Sequence, residues 1–331
     1  MSNRKSVSIV VPNYNGRKLL EEYLPFTLTA VKNTGIDYEI IIVDDCSTDD
    51  SVSFITAAYP HILLLTNTDN RGFSYSCNRG IEAAKYELIL LLNSDVKLSP
   101  DYFHHQWKYF TMADTFGVMG RIIDMQGENI QDAARVPKFN GLKLKTDYFY
   151  YTENKNDLLF TFYLSGANAL IDAAKLKSIG GFYEIFSPFY CEDMELSIRA
   201  WRLNWKCYYE HKAICRHQVS ASTKNYATAK RVKSIYYRNR FYLHAIHLDG
   251  IALFAWFLQI SLIDLLPKIL AGQTWMWESY KNLIFNYKLI RRYKNKVKNL
   301  LKTHKPESSL FFVIKQLRLA AGNKSVIRFK P

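Results

Sequence analysis

A chain of 331 residues, 48% of them hydrophobic, can bury one large core plus an appendage, which excludes a fibrous or disordered protein. The net charge of +14 is segregated: from Lys281 to Pro331 there are 14 Lys and Arg against the single acid Glu307, so the rest of the chain is close to neutral. Cys46, Cys77, Cys191, Cys207 and Cys215 are odd in number and form no C-x-x-C pair, so they indicate neither a disulfide framework nor a zinc site and fit a reducing cytoplasm.

Val7 to Val11 is a β-branched run that predicts a strand, and the apolar stretch ends at Pro12-Asn13, too short for a signal peptide or a spanning helix. Arg17 to Lys32 reads as a helix, Glu39 to Val43 as a second strand, and Ser51 to Tyr59 as a helix begun near Asp49. His61 to Leu65 supplies a third strand and Ser74 to Lys85 a third helix. The fourth strand, Leu88 to Leu92, is wholly apolar, as expected of a strand buried on both faces of a parallel sheet. Ser99-Pro100 offers an N-cap and a first-turn proline, which predicts another helix and sets Asp95 on a strand-to-helix loop. A further strand runs near Val118 to Ile123. This alternation predicts an α/β protein with a Rossmann-like, doubly wound, mostly parallel sheet. The rhythm breaks at Met125 to Tyr151, a polar, Tyr-rich insertion or flap over the sheet edge where an acceptor could bind.

Ligands bind at the carboxyl ends of parallel strands, and four loops lie there. The first strand ends in Pro12-Asn13-Tyr14-Asn15-Gly16 and the second in Asp44-Asp45-Cys46-Ser47-Thr48-Asp49; the third leads to Asn70-Arg71-Gly72-Phe73, the fourth to Asn93-Ser94-Asp95. Carboxylates and amides can pair with a nucleobase, Gly72 lets backbone approach a ligand, and a carboxylate such as Asp95 can hold a metal against a phosphate. Each loop alone is an ordinary turn. Four on one rim form a candidate site.

The basic tail points to an anionic partner, lipid or nucleic acid. Just upstream, Ile251 to Leu266 is rich in Leu, Ile, Phe and Trp but broken by Gln259 and Asp264, then by Pro267, too interrupted for a span of about 20 apolar residues. An interfacial helix beside a polybasic segment accounts for both features, with a buried core helix as the alternative.

The strand-end loops Val7–Gly16, Val43–Asp49, Asn70–Phe73 and Leu92–Asp95, with Asn78-Arg79-Gly80, form an ordered set. It continues through Ser165-Gly166-Ala167, Gly180-Gly181-Phe182 and Phe189-Tyr190-Cys191-Glu192-Asp193. Over about residues 7 to 223 the set resembles the large inverting family 2 of nucleotide-sugar glycosyltransferases with the A fold, in particular the bacterial rhamnosyltransferase-like branch.

The resemblance implies metal-dependent, inverting transfer of a sugar from a nucleoside-diphosphate sugar of UDP or dTDP type to a hydroxyl of a lipid-linked saccharide acceptor in bacterial cell-surface polysaccharide assembly. It assigns 1–223 to the catalytic domain, with the donor half to about 123 and the acceptor half from 124. Residues 224–331 become a helical, basic extension attached peripherally to the inner face of the cytoplasmic membrane. Asp44 would receive the imide N–H of uracil or thymine, with Pro12 and Tyr14 beside base and ribose and Asn70, Gly72, Asn93 and Ser94 completing the donor pocket. Asp95 would ligate a divalent cation, Mg2+ or Mn2+. Asn93 stands where the family often carries an acid, so His217, in Arg216-His217-Gln218-Val219-Ser220, is the candidate second ligand. Gly166, Ala167 and Glu192 fall on the acceptor side.

Asp193 would be the catalytic base that takes the acceptor's hydroxyl proton. Met194 to Leu203 reads as an amphipathic helix with Met194, Ile198 and Trp201 on one stripe, so Asp193 sits at its start, where unsatisfied N–H groups favour the ionised carboxylate.

Two other classes fit part of the sequence. A nucleic-acid-binding protein would use the basic tail and the 23 tyrosines, yet that charge lies far from the acidic loops and carries no recognition motif, so no nucleic-acid partner is expected. A nucleotidyltransferase could share the sheet and the acids, but it calls for a Gly-rich, Lys- or Arg-bearing phosphate loop, and residues 12–16 hold a single glycine.

Overall fold

The computed structural model describes residues 5–330 except 153, 155–157, 219–227, 305–307, 323 and 325; the expected boundary at 223, with Val219 and Ser220, lies outside the described residues. Strands β1 (Val7–Asn13), β2 (Tyr38–Asp44), β3 (Leu63–Thr66) and β4 (Leu88–Leu92) form a parallel block in spatial order β4-β1-β2-β3. Helices Arg17–Lys32, Ser51–Ala58 and Phe73–Ala83 connect them. The last of these lies hard against β1: a Cβ on Gly80 would come within 2.3 Å of Val10 Cγ1, so only glycine permits this approach.

The alternation stops at β5 (Val96–Leu98), which follows β4 directly, so Asp95 sits between two strands and not on a strand-to-helix loop. The helix expected from Pro100 is replaced by turns and a short 3-10 helix, Trp107–Thr111. Residues 102–111 are mainly aromatic and His, weak helix formers, and burial of Tyr102, Phe103, Tyr109 and Phe110 decides their path.

Strand β6 (Thr115–Ile123) leads into an insertion of short strands: β7 (Ile130–Asp132), β8 (Ala134–Arg135), β9 (Lys138–Asn140), β10 (Lys143–Lys145) and β11 (Phe149–Tyr151). After β12 (Leu159–Phe160), β13 (Asn168–Asp172) enters antiparallel between β4 and β6. The long strand β14 (Lys206–His217) then runs parallel to β6 and antiparallel to β5. The result is a mixed, mostly parallel α/β sheet, as the alternation predicted, with one reversed strand at its centre.

Helix Glu192–Arg202 carries the apolar stripe expected of it, with Met194, Ile198 and Trp201 buried, but its polar face is buried as well. Glu195 and Arg199, both fully buried, form a 2.9 Å ion pair. Arg199 also donates to the carbonyls of Ile179 and Gly181 at 2.6 Å each. Charges can be buried because they are paired and hydrogen-bonded inside the fold.

The extension comprises helices Ala229–His247, Gly250–Gln259, Leu266–Leu270, Thr274–Phe285, Tyr287–Thr303 and Leu310–Gly322, and strand β15 (Ile327–Phe329). A π-helical segment, Ile260–Leu265, makes Gly250–Leu270 one continuous helix. Phe241, Trp256, Met276, Val297 and Leu317 join the same apolar core as Val10 and Ile89, and β15 pairs with β11 of the insertion.

Gly250–Leu270 is long and apolar enough to cross a membrane, yet only 17% of its apolar window is buried. That overturns the core-helix alternative. Ile251 is 86% exposed, Leu270 80% and, on the next helix, Phe285 78%. Part of the basic tail is structural: Lys294 and Lys298 pair with Asp249 at 3.0 and 3.1 Å. Lys281, Lys288, Arg291 and Arg292 are exposed beside Ile284, Phe285 and Leu289.

Candidate active site

A cavity of about 440 Å3 opens where the loops after β1, β2, β3 and β4 converge. Pro12, Tyr14, Asn70, Gly72, Asn93, Ser94, Asp95 and His217 all line it, as do Glu192 and Asp193. Gly166 and Ala167, expected on the acceptor side, line this cavity too, because the turn before β13 runs beside Asn93; the Asn93 N–H donates to the Ala167 carbonyl at 3.2 Å.

Asp44 does not line it. Its Oδ1 accepts from Asn13 Nδ2 at 2.8 Å and Ser47 Oγ at 2.6 Å, and its Oδ2 from the Ser47 N–H at 2.9 Å, so this buried carboxylate braces the loop behind the rim. The neighbouring Asp45 lines the cavity instead. It accepts from the N–H groups of Arg71 (2.9 Å) and Gly72 (2.7 Å), which shapes the loop after β3. Gly72 has φ +86°, a left-handed value that disfavours any side chain, and it leaves the rim open beside Pro188.

Asp95 and His217 meet because β5 pairs with β14, with His217 opposite Val96. His217 Nε2 lies 3.3 Å from Asp95 Oδ1, and its Nδ1 lies 3.2 Å from Gln131 Oε1. His217 Nε2 thus faces an anionic oxygen, while Nδ1 is oriented by the Gln131 amide. Asp95 Oδ1 is buried without a hydrogen-bond donor, and so are Asn13 Oδ1, Asn93 Oδ1 and Glu192 Oε2 in the same cavity wall. Buried oxygens without donors call for a partner, and a cation bound between them would supply it. Carboxylate plus imidazole is a donor set that a divalent ion accepts when phosphates and water complete its shell. Among the described residues no cluster of three His, Cys, Asp or Glu offers a closed metal cage.

Asp193 stands in the first turn of helix Glu192–Arg202. Burial pushes its carboxyl up, to about 6, against the 2.7 Å bond from the Met194 N–H and a second from Gly166; the negative charge of Asp132 adds to the rise. Desolvation therefore outweighs the helix N-terminus, reversing the sequence expectation, yet the carboxylate stays mainly ionised at pH 7. Burial, with Asp193 beside it, holds the Glu192 carboxyl well above its usual range, which favours its neutral form.

Tyr190 (φ +75°) and Cys191 (φ +73°), directly before this pair, both adopt left-handed backbone. Such conformations cost on the order of 1–3 kcal/mol each and persist where the surroundings enforce them. Asn239, fully buried on helix Ala229–His247, enforces them by donating to the carbonyls of Phe186 (2.5 Å), Phe189 (2.9 Å) and Tyr190 (2.9 Å). This positioning residue escaped the sequence reading, since nothing near Asn239 marks a site.

A second cavity of about 350 Å3 lies on the other side of Asp193, between the insertion and helices Ala229–His247 and Gly250–Leu270. Tyr190, Glu192 and Asp193 line both cavities.

Undecaprenyl-phosphate 4-deoxy-4-formamido-L-arabinose transferase of Shewanella sediminis (strain HAW-EB3) is 34% identical over 99 residues, 29% of this chain and 30% of that protein. The match thus spans under a third of that relative's length. A mannosyltransferase from Pyrobaculum calidifontis, solved with GDP-Man and Mn2+, superposes with TM-score 0.54 at 16% identity, covering 97% of this chain and 87% of that one. S. aureus TarS 1-349 in complex with UDP-GlcNAc gives TM-score 0.55 at 15% identity, covering 95% and 92%. At such identities the likeness is one of fold. Residues 8–180, more than half of the chain, match the profile of glycosyl transferase family 2, and the strand-end loops described above fall within that match; the chain belongs to glycosyl transferase family 2, a glycosyltransferase of α/β fold.

Proposed function

We propose that the protein transfers a hexosyl or deoxyhexosyl group, as the rhamnosyltransferase-like motifs suggest, from a nucleoside-diphosphate sugar in the first cavity to a saccharide hydroxyl in the second, with inversion. The observation that carries this reading is the position of Asp193, which lines both cavities. A base at such a junction can reach an acceptor oxygen while that oxygen faces the donor's anomeric carbon.

The nucleoside rests against Pro12, Tyr14, Asp45 and the loop Asn70–Gly72, with Asp44 as the brace beneath. Asn93, Ser94 and the Gly166-Ala167 turn flank the diphosphate and sugar. As the acceptor oxygen bonds to the anomeric carbon, the bond to the diphosphate oxygen breaks and its electron pair leaves with the nucleoside diphosphate; the hydroxyl proton passes to Asp193. Glu192 beside it, its neutral form favoured by burial, can in that form donate a hydrogen bond to the sugar without repelling it. Asp95 and His217 would hold a divalent cation, which supplies positive charge to offset that growing on the diphosphate. Two solved neighbours of the same fold hold, respectively, GDP-Man with Mn2+ and UDP-GlcNAc, which supports a nucleotide-sugar donor.

The acceptor is lipid-linked and presented at the inner face of the cytoplasmic membrane, in cell-surface polysaccharide assembly. Support comes from the exposed apolar face of Gly250–Leu270, the adjacent exposed bases, and a relative named for undecaprenyl-phosphate. A panel of UDP-, dTDP- and GDP-sugars tests the donor reading: one should release nucleoside diphosphate in a cation-dependent reaction. Release from none, with or without saccharide acceptors, contradicts it.

A further inference from the structure

The second cavity is unlike the first in its charge. Lys143, at its edge, is neutralised by Asp264, both of whose oxygens lie 2.9 Å from Nζ. Arg135 pairs with Asp132 at 2.9 Å, and Asp147 with Lys138 at 3.4 Å. Two cations remain. Among the described residues Lys145 has no carboxylate within ion-pair distance, and Arg240 donates only to neutral oxygens, the Leu144 carbonyl and the Tyr236 hydroxyl. Burial and the nearby Arg240 push His244 down to about 3, so it adds no charge. Against these two cations stand two unpaired acids, Asp193 and Glu192, and burial drives Glu192 toward its neutral form, which leaves Asp193 as the main counter-charge.

We propose that the second cavity selects an acceptor bearing an anionic group, a phosphate or a carboxylate, held by Lys145 and Arg240. The proposal rests on the transfer reading given above and names its acceptor class. A half-buried, unpaired cation is costly, and charge-assisted hydrogen bonds to an anion recover that cost while fixing orientation. Lys145 comes from the insertion and Arg240 from the extension, so neither segment builds the pocket alone. Trp256 and Ile260 on the buried face of Gly250–Leu270 close the same cavity, while the opposite face of that helix is exposed. An acceptor with its apolar part in a bilayer and its anion at the headgroup level would enter beside this helix.

The test uses the full chain with UDP at saturation, so that the first cavity is filled. Binding of glucose 1-phosphate, glucuronic acid and methyl glucoside is titrated by ligand-observed NMR. At least one anionic probe should bind roughly tenfold or more tightly than the neutral glucoside. Lys145→Gln should abolish most of that preference and Lys145→Arg should keep it, with UDP affinity unchanged in both. Tighter binding of the phosphate assigns the anion to a phosphate-linked acceptor and tighter binding of the uronate to an acidic sugar; either supports the proposal. Equal binding of all three probes, or a preference that survives Lys145→Gln, overturns it. A chain that binds anionic probes but not UDP would leave the anion pocket standing and sink the donor reading instead.

Discussion

His217 Nε2 and Asp95 Oδ1 stand 3.3 Å apart, although nothing in the spacing of the two residues predicts their meeting. The link is the pairing of β5 with β14, and it puts an imidazole nitrogen against a carboxylate oxygen in the wall of the first cavity.

Removing either partner should separate metal dependence from folding. Asp95→Ala should abolish Mn2+-dependent binding of UDP, since a hard dication needs an anionic oxygen and Asn93 offers a neutral one. His217→Ala should weaken it by roughly 10–100-fold or less, within the range of outer-shell and auxiliary metal contacts. Calorimetric titration of UDP with and without Mn2+ checks both. Undiminished metal-dependent binding in Asp95→Ala would refute the ligand assignment.

The elevated Asp193 carboxyl sets a pH profile. A base must be ionised, so kcat/KM should be level above about 6 and fall about tenfold per pH unit below it, following Asp193 titration. A level profile down to about pH 4, the ordinary carboxylate range, would mean that another group limits the rate.

Asn239→Ala should act at a distance. It leaves three loop carbonyls without their donor, which costs about 1–3 kcal/mol of stability. It also frees Tyr190 and Cys191 from their left-handed conformations, so kcat should fall while UDP affinity holds. Thermal unfolding and kinetics on the same preparation would show a stable, fully active variant if the loop needs no such restraint.

Much of this was legible in the sequence. Leu88 to Leu92 appears at its expected bounds, and the first three strands lie within two residues of theirs, because uninterrupted β-branched and aliphatic runs have few alternatives. Asn70, Gly72, Asn93 and Asp95 were found through a rule of sheet topology that needs no tertiary contacts. Long-range pairing was not legible. The antiparallel entry of β13 between β4 and β6, the choice of Asp45 over Asp44 at the rim, and the burial of helix Glu192–Arg202 around Glu195 and Arg199 each depend on partners far along the chain. The second cavity was hidden for the same reason: Lys145, Asp193, Arg240 and Trp256 come from four segments.

The membrane reading divides into two components. Changing Lys288, Arg291 and Arg292 to Gln should weaken sedimentation with anionic liposomes by roughly 100-fold at low salt, at about 1 kcal/mol per base. Phe254→Ser with Leu262→Ser should remove the part of the binding that high salt does not release. Liposome binding equal to wild type in both variants would mean that this face meets something other than lipid.

Asp193 stands between the two cavities as the proposed base. The most direct measurement compares the transfer rate of wild type and Asp193→Asn on the donor that the nucleotide-sugar panel selects, with UDP affinity measured alongside. The amide keeps the shape but cannot take the proton, so transfer should fall by about 100- to 10,000-fold while nucleotide affinity stays within a few fold. Turnover near the wild-type rate in Asp193→Asn would contradict the account.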